Sequence, residues 1–176
     1  MQKLIILRGA PASGKTTVAK SFRNFENKVA WIKVDNFKDF FSEDASSALE
    51  FVNGSAISTL QYLLGQGFSV IIDGVFQDTS AIDKALEIAK EKNVQVKVFE
   101  LTCSLEALQQ RDGQREDVSE GLRKPLGEET IAEIYGALNN NPYPNAISID
   151  TQHNSMEKCK ELIEKSFQET KTTHTI

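Results

Sequence analysis

Residues 9–17 read GAPASGKTT and follow directly on the apolar run LIIL and one arginine at 4–8. Gly9-Ala10-Pro11-Ala12-Ser13-Gly14-Lys15-Thr16 satisfies the spacing G-x-x-x-x-G-K-[ST], placed between a predicted strand and a predicted helix. The composition has a physical reason. Glycine reaches positive φ and lets the backbone come close to phosphate oxygens. Successive N–H groups then form an anion nest at a helix N-terminus, where the dipole favours negative charge. The pattern assigns Gly9, Ala10, Ala12, Ser13, Gly14, Lys15, Thr16 and Thr17 to a nucleoside triphosphate. Lys15 is expected to reach the β- and γ-phosphates, and the Thr16 hydroxyl to ligate Mg²⁺. The competing reading is a glycine-rich turn that only caps a helix.

Outward from this loop, strand-like and helix-like stretches alternate. KLIILR (3–8), VAWIKV (29–34), FSVII (68–72), VQVKVFEL (94–101) and AISI (146–149) read as five short strands. Amphipathic stretches at 15–25, 45–64, 79–92, 104–138 and 155–168 read as helices, with a break at SEGLRKPLG (119–127). This alternation predicts an α/β fold with a parallel sheet covered on both faces.

In open α/β sheets ligands lie outside the carboxyl ends of the strands, and two aspartates fall there. Asp73 ends an apolar run and is expected to hold Mg²⁺ directly or through water, as a Walker-B carboxylate does. Its competitor is a hairpin turn at Asp73-Gly74. The flanks do not alternate, however, and a helix follows. Asp35, after the second strand, is placed to accept the proton of an attacking hydroxyl. Aspartate also caps helices well, so Asp35 competes as the N-cap of NFKDFF. Lys38, one turn on, would bind an anionic acceptor or lie in solvent.

Arg111 and Arg115 stand four apart in QQRDGQRED, so one helix would present both on a single face. Transfer of a phosphoryl group needs cations around the γ-phosphate more than it needs covalent help. The pair is expected to close over the nucleotide from a lid at about 104–127, with Arg123 and Lys124 as weaker members of the same cluster. A solvated helix with Asp112, Glu116 and Asp117 as partners is the competing reading.

The bulk composition narrows the class. The 176 residues are 40% hydrophobic and 26% charged with a net charge of −5, as for an ordinary globular domain. One domain over 1–168 is expected, with 169–176 as a frayed tail. The acidic balance disfavours nucleic acid as a partner without excluding a local basic patch. Cys103 and Cys159 have no ligand-like spacing and suit a reducing compartment. No apolar run reaches membrane-spanning length and no leader is evident, so the expectation is a cytoplasmic protein with no membrane partner.

Together, the phosphate loop, Asp35, Asp73 and R-x-x-x-R at 111–115 resemble the small P-loop kinases. Similar shapes are the 5′-kinase domain of bacteriophage polynucleotide kinase, chloramphenicol phosphotransferase and the zeta toxins. The resemblance spans about residues 2–168 and is sharpest in GAPASGKTT. It implies a P-loop NTPase fold with a five-stranded parallel sheet, the Walker-B strand beside the phosphate-loop strand, and a helical lid. It also implies ATP with Mg²⁺, and Asp35 as the base for an acceptor hydroxyl. Polynucleotide kinases usually carry arginine where this chain has Lys38, which weakens a bidentate grip on phosphate. Adenylylsulfate kinases are similar in Arg111-Asp112 and in the ending around ISIDT, but not in the segment after Arg111-Asp112.

The leading expectation is an ATP-dependent kinase for the hydroxyl of a small molecule: a nucleoside, sugar, antibiotic or related metabolite. A polynucleotide 5′-hydroxyl kinase is the alternative, and an ATPase or nucleotide switch without an acceptor is a third. A guanine switch would want a late N-K-x-D; the nearest match, NKVA at 27–30, lacks the aspartate.

Overall fold

The computed structural model describes residues 1–23, 27–41, 49–121 and 124–169, with backbone alone at 116, 117 and 169. The chain runs β1 (Lys3–Arg8), α1 (Lys15–Phe22), β2 (Val29–Lys33), a 3₁₀ helix (Val34–Phe40), α2 (Leu49–Gly65) and β3 (Ser69–Gly74). It continues through α3 (Ser80–Glu91), β4 (Gln95–Thr102), α4 (Leu105–Asp112), α5 (Glu116–Ser119), α6 (Glu128–Asn140), β5 (Ile147–Asp150) and α7 (Met156–Glu169). The five strands form one parallel sheet in the order β2-β3-β1-β4-β5.

The LIIL run explains why the sheet is covered twice. Successive side chains of a strand point to opposite faces, and a strand buried on both faces reads as a continuous apolar run. Leu4 and Ile6 join a core with Val52 and Leu60 of α2 and Ile82 and Ala85 of α3. Ile5 and Leu7 join the opposite core with Val18 of α1 and Ile163 and Phe167 of α7. A smaller cluster of Ala10, Leu108, Ile131 and Leu138 packs α4 and α6 beneath the phosphate loop. Truncating a fully buried member such as Ile82 to alanine costs about 2–5 kcal/mol.

This architecture sets the functional groups at the carboxyl end of the sheet. β3 lies beside β1, with Asp73 in register with Leu7 and with Lys33 of β2. The strand predicted over 68–72 runs on through Gly74, so Asp73 sits inside the strand end and no hairpin forms there. The helical stretch predicted over 104–138 is divided into α4, α5 and α6. The Glu116 and Asp117 side chains, Arg123 and most of the predicted tail lie outside the described residues. Among the described residues no helix is long and apolar enough to cross a membrane.

Candidate active site

The loop between β1 and α1 owes its shape to two glycines. Gly9 has φ 154°, and a Cβ there would stand 2.5 Å from the Leu101 carbonyl oxygen and 2.8 Å from Ser13 Oγ. Gly14, at the N-cap of α1, has φ 88° and ψ 4°, with no side-chain cap on the helix. The first N–H groups of α1 therefore face the loop without a capping side chain, which suits an anion. Lys15 Nζ donates to the Ala10 carbonyl at 2.7 Å and lies 3.5 Å from Ser13 Oγ. Burial lowers the Lys15 pKa; the Asp73 and Asp35 carboxylates oppose this, and Arg115 adds to it. A negatively charged ligand would restore what burial withdraws from this ammonium.

Behind the lysine stand the two carboxylates. The Thr16 hydroxyl donates to Asp73 Oδ2 at 3.0 Å. Asp73 is 2% exposed, and its Oδ1 has no hydrogen-bond partner. Burial pushes the Asp73 pKa up, against the pull of Lys15 and Thr16. The Trp31 indole N–H pulls the same way from outside hydrogen-bond geometry, and Nε1 is itself buried without a partner. A hard cation beside a hydroxyl and a carboxylate oxygen would satisfy that orphaned acceptor, so the residues present fit Mg²⁺. Among the described residues no three His, Cys, Asp or Glu side chains gather as a metal cage.

Asp35 occupies the first turn of the 3₁₀ helix, while Lys33 holds the N-cap position, so capping is not its task. Lys38 Nζ pairs with Asp35 Oδ1 at 2.7 Å. Burial pushes the Asp35 pKa up, but Lys38, with smaller help from Lys15 and Lys33, overrides it and leaves the carboxyl below its ordinary value. Asp35 is thus ionised at neutral pH and able to accept a proton. Lys38, read as a group for an anionic acceptor, is spent in part on this carboxylate.

The arginines depart from expectation in their backbone. α4 stops at Asp112, and Gly113 and Gln114 turn the chain before Arg115, so the two do not share one helical face. Glycine at 113 and the local Asp112–Arg115 pair favour that turn over a continued helix. Both side chains still reach one cleft. Arg111 donates to the Thr151 carbonyl at 3.2 Å and to Thr151 Oγ1 at 3.4 Å. Arg115 pairs with Asp112. The cleft, about 1240 Å³, is lined by Ala12, Gly14, Lys15, Thr16, Thr17, Asp35, Lys38, Asp73, Arg111, Arg115 and Lys124. Gly9, Ala10 and Ser13 instead line a cavity of about 50 Å³ behind the loop.

Two residues were not assigned to the site from the sequence, although Thr151 falls in the ISIDT stretch. Thr151, just past β5, donates its hydroxyl to the Ser13 carbonyl at 2.9 Å and so joins the phosphate loop to Arg111. Arg8 is fully buried beside the loop. It pairs with its β4 register partner Glu100 and donates to the Phe76 carbonyl at 3.2 Å and the Asn141 carbonyl at 2.7 Å. Only the strand register brings Arg8 and Glu100 together, and one strand read alone cannot reveal it.

Comparison with known proteins agrees with this fold. A chain of the Pnkp1/Rnl/Hen1 RNA repair complex superposes with TM-score 0.66 at 23% identity, covering 82% of this chain and 47% of that one. This chain therefore spans about half the length of that relative. The APS kinase CysC of Mycobacterium tuberculosis superposes with TM-score 0.68 at 12% identity, over 95% of this chain and 98% of that one. A gluconokinase from Sinorhizobium meliloti 1021 gives 0.64 at 13% identity, over 98% of both. Identities this low establish the fold alone. No curated protein matches the sequence. A family model described as an AAA domain matches residues 4–137; the chain belongs to that family and has the fold of a P-loop NTPase.

Proposed function

We propose that this protein moves the γ-phosphate of ATP to a hydroxyl group of a small molecule, with Asp35 as the general base. One observation carries the reading: Asp35, Asp73, Lys15, Thr16, Arg111 and Arg115 all face a single cleft. The acceptor hydroxyl gives its proton to Asp35 as its oxygen bonds to the γ-phosphorus. The bond from that phosphorus to the β,γ-bridging oxygen breaks, and ADP leaves. Lys15 holds the β- and γ-phosphates against the N-terminus of α1, and Arg111 and Arg115 balance the charge spread over the transferred group. Thr16 and Asp73 would hold Mg²⁺, which neutralises charge on the β- and γ-oxygens. A panel of nucleosides, sugars and antibiotics incubated with Mg-ATP tests the proposal: one acceptor class should be phosphorylated and ADP released in equal amount. No product with any hydroxyl compound refutes it.

A polynucleotide 5′-hydroxyl kinase is the second reading. It is favoured by the likeness to a chain of an RNA repair complex and by the volume of the cleft, about 1240 Å³. Labelling of 5′-hydroxyl oligonucleotides by γ-phosphate at low salt would select it over the small-molecule reading; no labelling removes it.

A further inference from the structure

Asp112 has a position that the phosphotransfer chemistry does not account for. It is the last residue of α4 and only 3% exposed, an expensive place for a carboxylate unless partners hold it. Its Oδ2 accepts the backbone N–H of Gly127 at 3.1 Å, at the N-cap of α6. Its Oδ1 lies 3.0 Å from Arg115 Nε, an ion pair without hydrogen-bond alignment. The Nε–H itself leans to the Asp112 carbonyl oxygen at 3.4 Å.

Arg115 needs such a partner. It follows a two-residue turn rather than a helix, so the backbone alone fixes its long side chain poorly. Yet Arg115 lines the same cleft as Lys15 and is close enough to act on that ammonium.

We propose that Asp112 is a positioning residue: by holding Arg115 at its Nε edge, it aims the guanidinium at the γ-phosphate and so sets the preference for a triphosphate over a diphosphate. The Gly127 contact fixes the carboxylate in turn, so that its geometry does not depend on Arg115. The proposal rests on the reading of Arg115 as a phosphate-facing cation.

The test is calorimetric affinity for Mg²⁺ complexes of ADP and of a non-hydrolysable ATP analogue. It compares the wild type with Asp112→Asn, Arg115→Ala and the double variant. Asp112→Asn keeps an oxygen for Gly127 and removes the charge that faces Arg115. Loss of one charge-assisted contact corresponds to about tenfold or more in affinity. Each single variant is therefore expected to lose roughly tenfold of the analogue-over-ADP preference, and the double variant no more than Arg115→Ala alone.

Three results would overturn the proposal, in distinguishable ways. If Asp112→Asn keeps the wild-type preference while Arg115→Ala loses it, Asp112 only caps α6. If the losses add in the double variant, Asp112 acts by another route. If Arg115→Ala itself changes nothing, the phosphate-facing reading of Arg115 falls and the proposal with it. Should Asp112→Asn not fold, Arg115→Lys serves in its place, because it keeps the charge and removes Nε. The same loss of preference is expected; full retention overturns the proposal.

Discussion

Asp73→Asn should make the ligand-free protein more stable while removing its response to Mg²⁺. Burial raises the Asp73 pKa above the 3.8 of an ordinary aspartate. A raised folded-state pKa contributes stability that is full below the unfolded value and is lost as pH rises through the folded value. At neutral pH that stability is gone, and the ionised carboxylate keeps Oδ1 buried without a partner. Keeping such an orphaned oxygen ionised and buried costs about 1–3 kcal/mol, and asparagine removes the charge while filling the same space. For a chain of this size 1 kcal/mol moves Tm by about 2–4 °C, so Asp73→Asn should raise the ligand-free Tm by roughly 6 °C. The gap between variant and wild type should shrink as pH falls toward the unfolded value. Scanning calorimetry with and without Mg-ATP measures this. In the wild type, Mg²⁺ should add stabilisation beyond nucleotide alone; in the variant it should add little, and phosphotransfer should fall. A variant less stable than the wild type at neutral pH, or one with an intact Mg²⁺ response, would refute the reasoning.

Three further expectations follow from the same geometry. Lys38→Met removes the cation that holds the Asp35 pKa down, leaving burial to push it up, so the acid limb of the kcat/KM profile should move to higher pH; an unmoved limb argues against Asp35 as the base. Gly9→Ala forces a Cβ to within 2.5 Å of the Leu101 carbonyl at φ 154°. Strain of this kind costs about 1–3 kcal/mol, so Tm should fall by several degrees and nucleotide titration should show weakened ATP binding. Arg8→Met removes a buried cation and leaves Glu100 and the Phe76 and Asn141 carbonyls without it. Breaking a buried pair from one side costs about 3–5 kcal/mol, which urea denaturation should register, whereas Arg8→Met with Glu100→Leu should recover part of the loss.

What the sequence made legible follows how local each signal is. The phosphate loop is nine residues whose shape depends on their own backbone, so GAPASGKTT could be read alone. The five strands were visible because burial on both faces leaves continuous apolar runs such as LIIL and VII. The end of α4 was not visible: four-residue spacing suggested one helical face for Arg111 and Arg115, but a turn at Gly113 and a buried Asp112 intervene. Lys38 was read toward solvent or an acceptor because its partner, one 3₁₀ turn away, depends on how Val34–Phe40 folds. Thr151 and Arg8 meet their partners only through strand register and the β5–α7 turn, 138 residues apart in the case of Thr151 and Ser13. Contacts of that range leave no pattern in one chain.

The measurement closest to the central claim is ADP release from Mg-ATP across hydroxyl acceptors, run for the wild type beside Asp35→Asn with ATP affinity measured for both. One acceptor class should stimulate turnover, product should gain the γ-phosphate, and Asp35→Asn should lower the rate by roughly 10²–10⁴-fold with ATP affinity unchanged. Turnover indifferent to every acceptor and to Asp35 would contradict that claim and leave a protein that hydrolyses or only senses ATP.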